Sequence, residues 1–255
     1  MKKIIVSLVV LFLYSNAFSQ YTYYAAAKAG LSLREQPNTS SKVIEKIPYG
    51  EKLTTPSVDT DAKAPVAIST EGFNGFWWKA TYNGKTGYVV SSYVLPMPPP
   101  KTGIKTIPDY FAQVSSKAGS PLVIKKSDAA LNEMGESTLT KQLYKNGMEW
   151  HKAQGYETGS DLYMLPDFTI EQCFLLVRLI GQYADLINEK DAFPVKNTTI
   201  KIDGGEKITE IEREKYDGKP GPVKKIKIIS TQGAITEFEI FMLDTQAVIF
   251  WSSGV

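Results

Sequence analysis

Polar and apolar side chains alternate with a period of two along most of this chain, and a helical period governs only one stretch. Leu31 and Leu33 alternate with Ser32 and Arg34, which predicts a half-buried strand. Tyr21 to Ala29 leads into it. Val43 to Ile47 and a segment starting at Glu51 predict two more strands, separated by the turn Pro48-Tyr49-Gly50. Phe76 to Tyr82 and Thr86 to Val90 flank Asn83-Gly84, a two-residue hairpin signal in which both central residues take positive φ. Between them, residues 55–75 are rich in Pro, Asp, Thr and Gly and read as an enlarged loop.

The pattern breaks at Pro96-Met97-Pro98-Pro99-Pro100-Lys101-Thr102-Gly103. Consecutive prolines favour polyproline II, so residues 96–104 are expected to form a semi-rigid spacer. A groove ligand for another protein is the weaker reading of the same run. Beyond it, Ser137 to Tyr144 and Met148 to Ala153 flank Asn146-Gly147, a second hairpin of the same kind, and Asp161 to Leu165 follows as a short strand.

The helical stretch opens at Pro166-Asp167-Phe168-Thr169. Thr169 and Gln172 stand at capping-box spacing, with Asp167 as an alternative cap. Ile170, Phe174, Val177, Gly181, Ala184 and Ile187 recur at helical spacing, widened by Leu176, Leu179, Tyr183 and Leu186. So wide an apolar face predicts one long helix covered on more than one side. From Asn197 onward a meander of four or five strands turns at Asp203-Gly204-Gly205, Asp217 to Gly221, Thr231-Gln232-Gly233 and Asp244-Thr245. The C-terminal part, 105–255, is therefore α+β.

Residues 1–19 stand outside this pattern. Lys2 and Lys3 precede an apolar run from Ile4 to Tyr14, and Ala17 and Ser19 are the small residues of a cut before Gln20. This predicts a signal peptide, an exported soluble product in the periplasm or outside the cell, and no membrane span. Loss of Lys2 and Lys3 takes 29 basic side chains to 27, equal to the 27 acids, so no basic footprint for nucleic acid is expected. The single cysteine excludes an internal disulfide.

Residues 24–95 carry a family likeness. Gly30-Leu31-Ser32-Leu33-Arg34-Glu35-Gln36-Pro37, then Val43 to Leu53, then Trp77-Trp78-Lys79-Ala80-Thr81-Tyr82-Asn83-Gly84-Lys85-Thr86-Gly87-Tyr88-Val89 with Tyr93 and Leu95, resemble bacterial Src-homology-3-like domains of secreted and cell-wall proteins. The likeness implies a small all-β barrel over residues 20–95. Leu31, Leu33, Val43 or Ile44, Ile47, Leu53, Ala80 and Val89 would fill it, and Gly87 would let the last strand bend. The enlarged 55–75 loop departs from the family pattern. The likeness also implies binding of peptide or cell-wall material such as peptidoglycan, or the positioning of a neighbouring catalytic domain.

Parity puts Trp77 on the strand face opposite Ala80, hence outward if Ala80 points in. With Tyr49, Tyr88 and Tyr93 it would then form an aromatic groove for an extended ligand. The bland alternative is that Trp77 covers a barrel end or packs on the second domain.

Catalytic signals are missing. Cys173 and His151 occur in the reverse of the order a papain-like wall peptidase needs, and Cys173 sits in the apolar helix stripe, where a core role is expected. One His and one Cys leave no zinc set, and no nucleotide loop or nucleophile elbow occurs. No catalytic residue, metal or cofactor is expected. Lys224-Lys225-Ile226-Lys227 reads as a solvated strand face rather than a site for an anionic polymer. The expectation is a non-enzymatic exported binding protein with two domains. The alternatives are an envelope hydrolase with a carboxylate site in the second domain, and a component of an envelope assembly with a protein partner.

Overall fold

A computed structural model describes residues 20–55, 62–67, 74–128, 132–216 and 219–254. The predicted leader lies outside these residues. The N-terminal unit contains β1 (Tyr21–Ala25), β2 (Leu31–Arg34), β3 (Val43–Ile47), β4 (Lys52–Thr55), β5 (Ala62–Ala67), β6 (Asn74–Tyr82), β7 (Lys85–Val90) and β8 (Val94–Leu95). They form one antiparallel sheet in the order β3-β2-β7-β6-β4-β1-β8, with β5 added on β6. The β6–β7 turn is the predicted one: Asn83 and Gly84 have φ of 48° and 73° and Tyr82 pairs with Lys85. Part of the expected 55–75 loop is in fact strand, because β5 pairs with the first half of β6.

Leu31, Leu33, Ile47, Leu53, Ala80 and Val89 are at most 5% exposed and form one core. Ile44 packs against it, whereas Val43 is 42% exposed, which settles the choice between them. Gly87 is needed for room as much as for bending. A Cβ there would stand 2.5 Å from the Arg34 carbonyl oxygen and 2.8 Å from Ile44 Cδ1.

The second unit contains α1 (Ile107–Val114), β9 (Leu122–Lys126), β10 (Ser137–Leu143), β11 (Glu149–Gly155), β12 (Thr158–Pro166), α2 (Ile170–Ile180), β13 (Thr198–Ile202), β14 (Gly205–Tyr216), β15 (Lys219–Ser230), β16 (Ile235–Leu243) and β17 (Gln246–Gly254). Its nine strands form one antiparallel sheet in the order β13-β14-β15-β16-β17-β12-β11-β10-β9. The β10–β11 hairpin differs from expectation. Tyr144 and Met148 close it, only Gly147 of the three intervening residues has positive φ, and the Asn146 carboxamide accepts from Met148 N.

The expected long helix is the short α2, and a second short helix, α1, forms outside the predicted stretch. α2 begins at the predicted capping box, with Thr169 Oγ1 accepting from Gln172 N at 3.3 Å and Gln172 Oε1 accepting from Thr169 N at 3.0 Å. It ends after 11 residues because Gly181 turns left-handed, φ 74°. Tyr183, Leu186 and Ile187 remain buried from non-helical backbone. α1 has its own signal in Thr106, Pro108 and Asp109: the Thr106 hydroxyl caps Asp109 N and the proline stands in the first turn. Removing the α2 cap with Thr169→Ala should cost about 1 kcal/mol, read as a lower urea midpoint at unchanged slope.

Both helices join one face of the large sheet, where Tyr163, Phe238, Ile240, Ile249, Phe111 and Phe174 form the main core. Two residues of the first unit, Ala26 and Leu95, belong to that same core. The proline run is no free spacer either. Pro99 and Pro100 are buried, Gln113 of α1 accepts from Lys101 N and donates to the Pro99 carbonyl, and Tyr49 Oη donates to the Pro100 carbonyl at 2.9 Å. Gln172 Nε2 donates to the Val94 carbonyl at 3.1 Å. The two units are thus joined by shared core and by hydrogen bonds. Among the described residues, no helix is long and apolar enough to cross a membrane.

Candidate functional site

β6 presents two tryptophans to opposite sides. Trp78 faces the first core with Ala80 and meets Tyr23 at a ring-centroid distance of 4.9 Å. Trp77 leaves from the other face, as parity requires, beside Val90 of β7. It is nevertheless only 4% exposed. The space outside it is a cleft of about 700 Å³ whose far wall is α2, with Leu175, Arg178 and Leu179, followed by Glu189 and Lys190. The near wall is the Ala26–Ser32 segment with Arg34, Val90 and Tyr93. The bland reading of Trp77 is the one observed, with the difference that the covering domain leaves a cavity of ligand size.

The four predicted groove residues separate. Trp77 and Tyr93 line the cleft. Tyr88 is half-buried on β7 between its cross-strand partners Arg34 and Lys79 and does not line the cleft. Tyr49 is taken up by the proline segment, where burial pushes its phenol up to about 12. A hydroxyl held this way is a structural pin.

Charge is unevenly distributed around the cleft. Lys28, Arg34, Arg178 and Lys190 line it against one carboxylate, Glu189. Lys28 Nζ and Glu189 Oε2 form an exposed ion pair at 2.8 Å across the two units, and the hydrogen bond from Lys28 holds that carboxyl below its ordinary range. Arg178 donates to the Glu189 carbonyl from Nε at 3.0 Å and from Nη2, which fixes the rim. Arg34 donates to the Ser41 carbonyl. Apolar and cationic side chains thus line the cleft together, in a chain of 29 basic and 27 acidic residues. Arg178 interrupts the apolar run from Cys173 to Ile180; Lys28 and Lys190 carried no sequence signal.

The remaining chemistry-bearing residues do not converge on this cleft. Cys173 is fully buried in the main core, and burial pushes its thiol well above the ordinary range. His151 stands on the opposite face of the large sheet, 2.8 Å from Glu149, so the sheet separates the pair. Lys225 and Lys227 pair with Glu239 and Glu237 at 2.8 and 3.0 Å. Among the described residues, no three His, Cys, Asp or Glu side chains gather as a metal set.

Comparison with family models agrees with the architecture: residues 29–94 match the bacterial SH3 domain. The N-terminal unit is a bacterial SH3 domain. The chain finds no significant match among curated proteins or among solved structures.

Proposed function

We propose that this is an exported, non-enzymatic binding protein whose SH3 domain, together with α2 of the second unit, grips an extended acidic peptide segment of the kind cell-wall material offers. The observation that carries this is the cleft, lined by Trp77, Tyr93, Leu175 and Leu179 together with four cations and one carboxylate. An extended chain with carboxylates along it would bury apolar parts against Trp77, Tyr93 and the leucines and set its charges toward Lys28, Arg34 and Lys190. Binding suits the site better than hydrolysis, because its one carboxylate is exposed and occupied by Lys28, whereas hydrolysis with carboxylates needs two. The signal-peptide pattern of residues 1–19 supports an envelope location.

Co-sedimentation with purified peptidoglycan tests the reading. The protein is expected in the pellet at low salt and largely in the supernatant at about 0.5 M salt, where exposed charges are screened. The double reversal Lys28→Glu and Lys190→Glu, both on exposed rim side chains, should weaken retention at least about tenfold. No pelleting, or pelleting indifferent to the reversal, would defeat the proposal.

A further inference from the structure

The core-facing side of the large sheet changes character toward its β13 edge. Along β14, Lys207, Thr209 and Ile211 alternate onto that face, and cross-strand pairing sets Thr209 between Thr198 of β13 and Ile228 of β15. Ile211 and Ile228 continue the apolar core, whereas Lys207, Thr209 and Thr198 bring an ammonium and two hydroxyls. The cover over this corner is apolar: Phe174 of α2, then Leu186, Ile187 and Phe193 from the chain that follows it. Phe174 and Phe193 meet edge to face with ring centroids 5.4 Å apart, which fixes that wall. Cover and sheet do not close on one another. They leave a cavity of about 290 Å³, at the lower end of the range for small-molecule sites, and it shares no lining residue with the Trp77 cleft.

Lys207 is poorly matched within the protein. Its side chain is only 19% exposed, and its ion-pair partner among the described residues, Asp191 Oδ2, stands 3.7 Å away, beyond hydrogen-bond distance. Asp191 is engaged elsewhere. Its Oδ2 accepts from Asn188 N at 3.1 Å and its Oδ1 from Asn188 Nδ2 at 2.6 Å, closing a turn of its own. Lys196 adds a second cation to the lining. We propose that the cavity binds a small amphipathic carboxylate, an anionic head on an aliphatic tail of roughly eight carbons. The head accepts from Lys207 Nζ and from the hydroxyl of Thr209, two residues along the same strand face, and the tail lies along Phe174, Leu186, Phe193 and Ile228. The division of the lining selects this chemistry. A neutral hydrocarbon would leave the ammonium unmatched, an amine would meet two lysines, and a small hydrophilic anion would leave the apolar wall wet.

Calorimetric titration of the purified full chain with octanoate reads the result directly. Saturable one-to-one binding is expected with a Kd below about 1 mM. Octanol, which lacks the charge, and acetate, which lacks the tail, should each bind at least about tenfold more weakly. Lys207→Met keeps the apolar stem and removes the charge, so it should weaken octanoate at least about tenfold and leave octanol unchanged. Lys207→Arg should restore octanoate binding. The proposal is overturned by absent or unsaturable octanoate binding, by octanol or acetate binding as tightly as octanoate, or by a Lys207→Met chain that holds octanoate like wild type. Should Lys207→Met misfold, Lys196→Glu on an exposed side chain of the same lining takes its place: octanoate should weaken at least about threefold, and unchanged affinity overturns the proposal.

Discussion

Trp77→Ala is expected to lower the free energy of unfolding by about 3–5 kcal/mol, the range for truncating a buried aromatic. Trp77 is 4% exposed and stands where β6 of the SH3 domain faces α2. Its loss removes packing from the junction of two units that also share a core through Ala26 and Leu95. The two units should therefore lose stability together, seen in urea as one transition shifted down rather than as an early loss of the SH3 domain alone. A cost below about 1 kcal/mol would mean that α2 does not cover this side chain. The same burial makes Trp77→Ala a poor reporter of ligand binding, because weakened binding would follow from a weakened fold. Exposed rim charges such as Lys28 and Lys190 separate the two effects.

Gly87→Ala should be nearly as damaging, at about 2–3 kcal/mol, although it adds only a methyl group. That methyl would meet the Arg34 carbonyl oxygen at 2.5 Å, Ile44 Cδ1 at 2.8 Å and Leu33 Cγ at 3.1 Å. Ile44 and Leu33 could shift, but the carbonyl belongs to β2, which pairs with β7 at Arg34 and Tyr88. Relief therefore requires opening that contact. Gly84→Ala in the adjoining hairpin is the control. Its Cβ would meet nothing within 4 Å, so its cost is the backbone strain of φ 73° alone, about 1–2 kcal/mol. Denaturation midpoints in which Gly87→Ala costs no more than Gly84→Ala would contradict the close approach.

These two positions also mark what could be read in the sequence. The strands at Leu31–Arg34 and Val43–Ile47, the Asn83-Gly84 turn and the Thr169 capping box depend on neighbours a few residues away, and each lies where the local pattern put it, whereas β5 and β9 form where no strand was expected. The parity of Trp77 was local too, and holds. What covers it was not, because Leu175 and Arg178 are about a hundred residues further on and arrive only through the fold. Lys28 and Glu189, 161 residues apart, pair across a cleft that no window of sequence contains. The helical period running on to Ile187 recorded burial correctly but not conformation, since Gly181 ends α2 while Leu186 and Ile187 stay in the core. α1 had a readable start at Thr106, yet its proximity to the proline run masked it. The proline run reads as a spacer by composition, and only tertiary contacts from Tyr49 and Gln113 convert it into packed structure.

Calorimetric titration with a soluble cell-wall stem peptide tests most directly the proposal that the cleft between the SH3 domain and α2 takes an acidic peptide. Saturable one-to-one binding is expected, weakened at least about tenfold by the Lys28→Glu and Lys190→Glu reversal and by amidation of the peptide carboxylates. Absence of binding, or equal affinity for the free and amidated peptides, would contradict it.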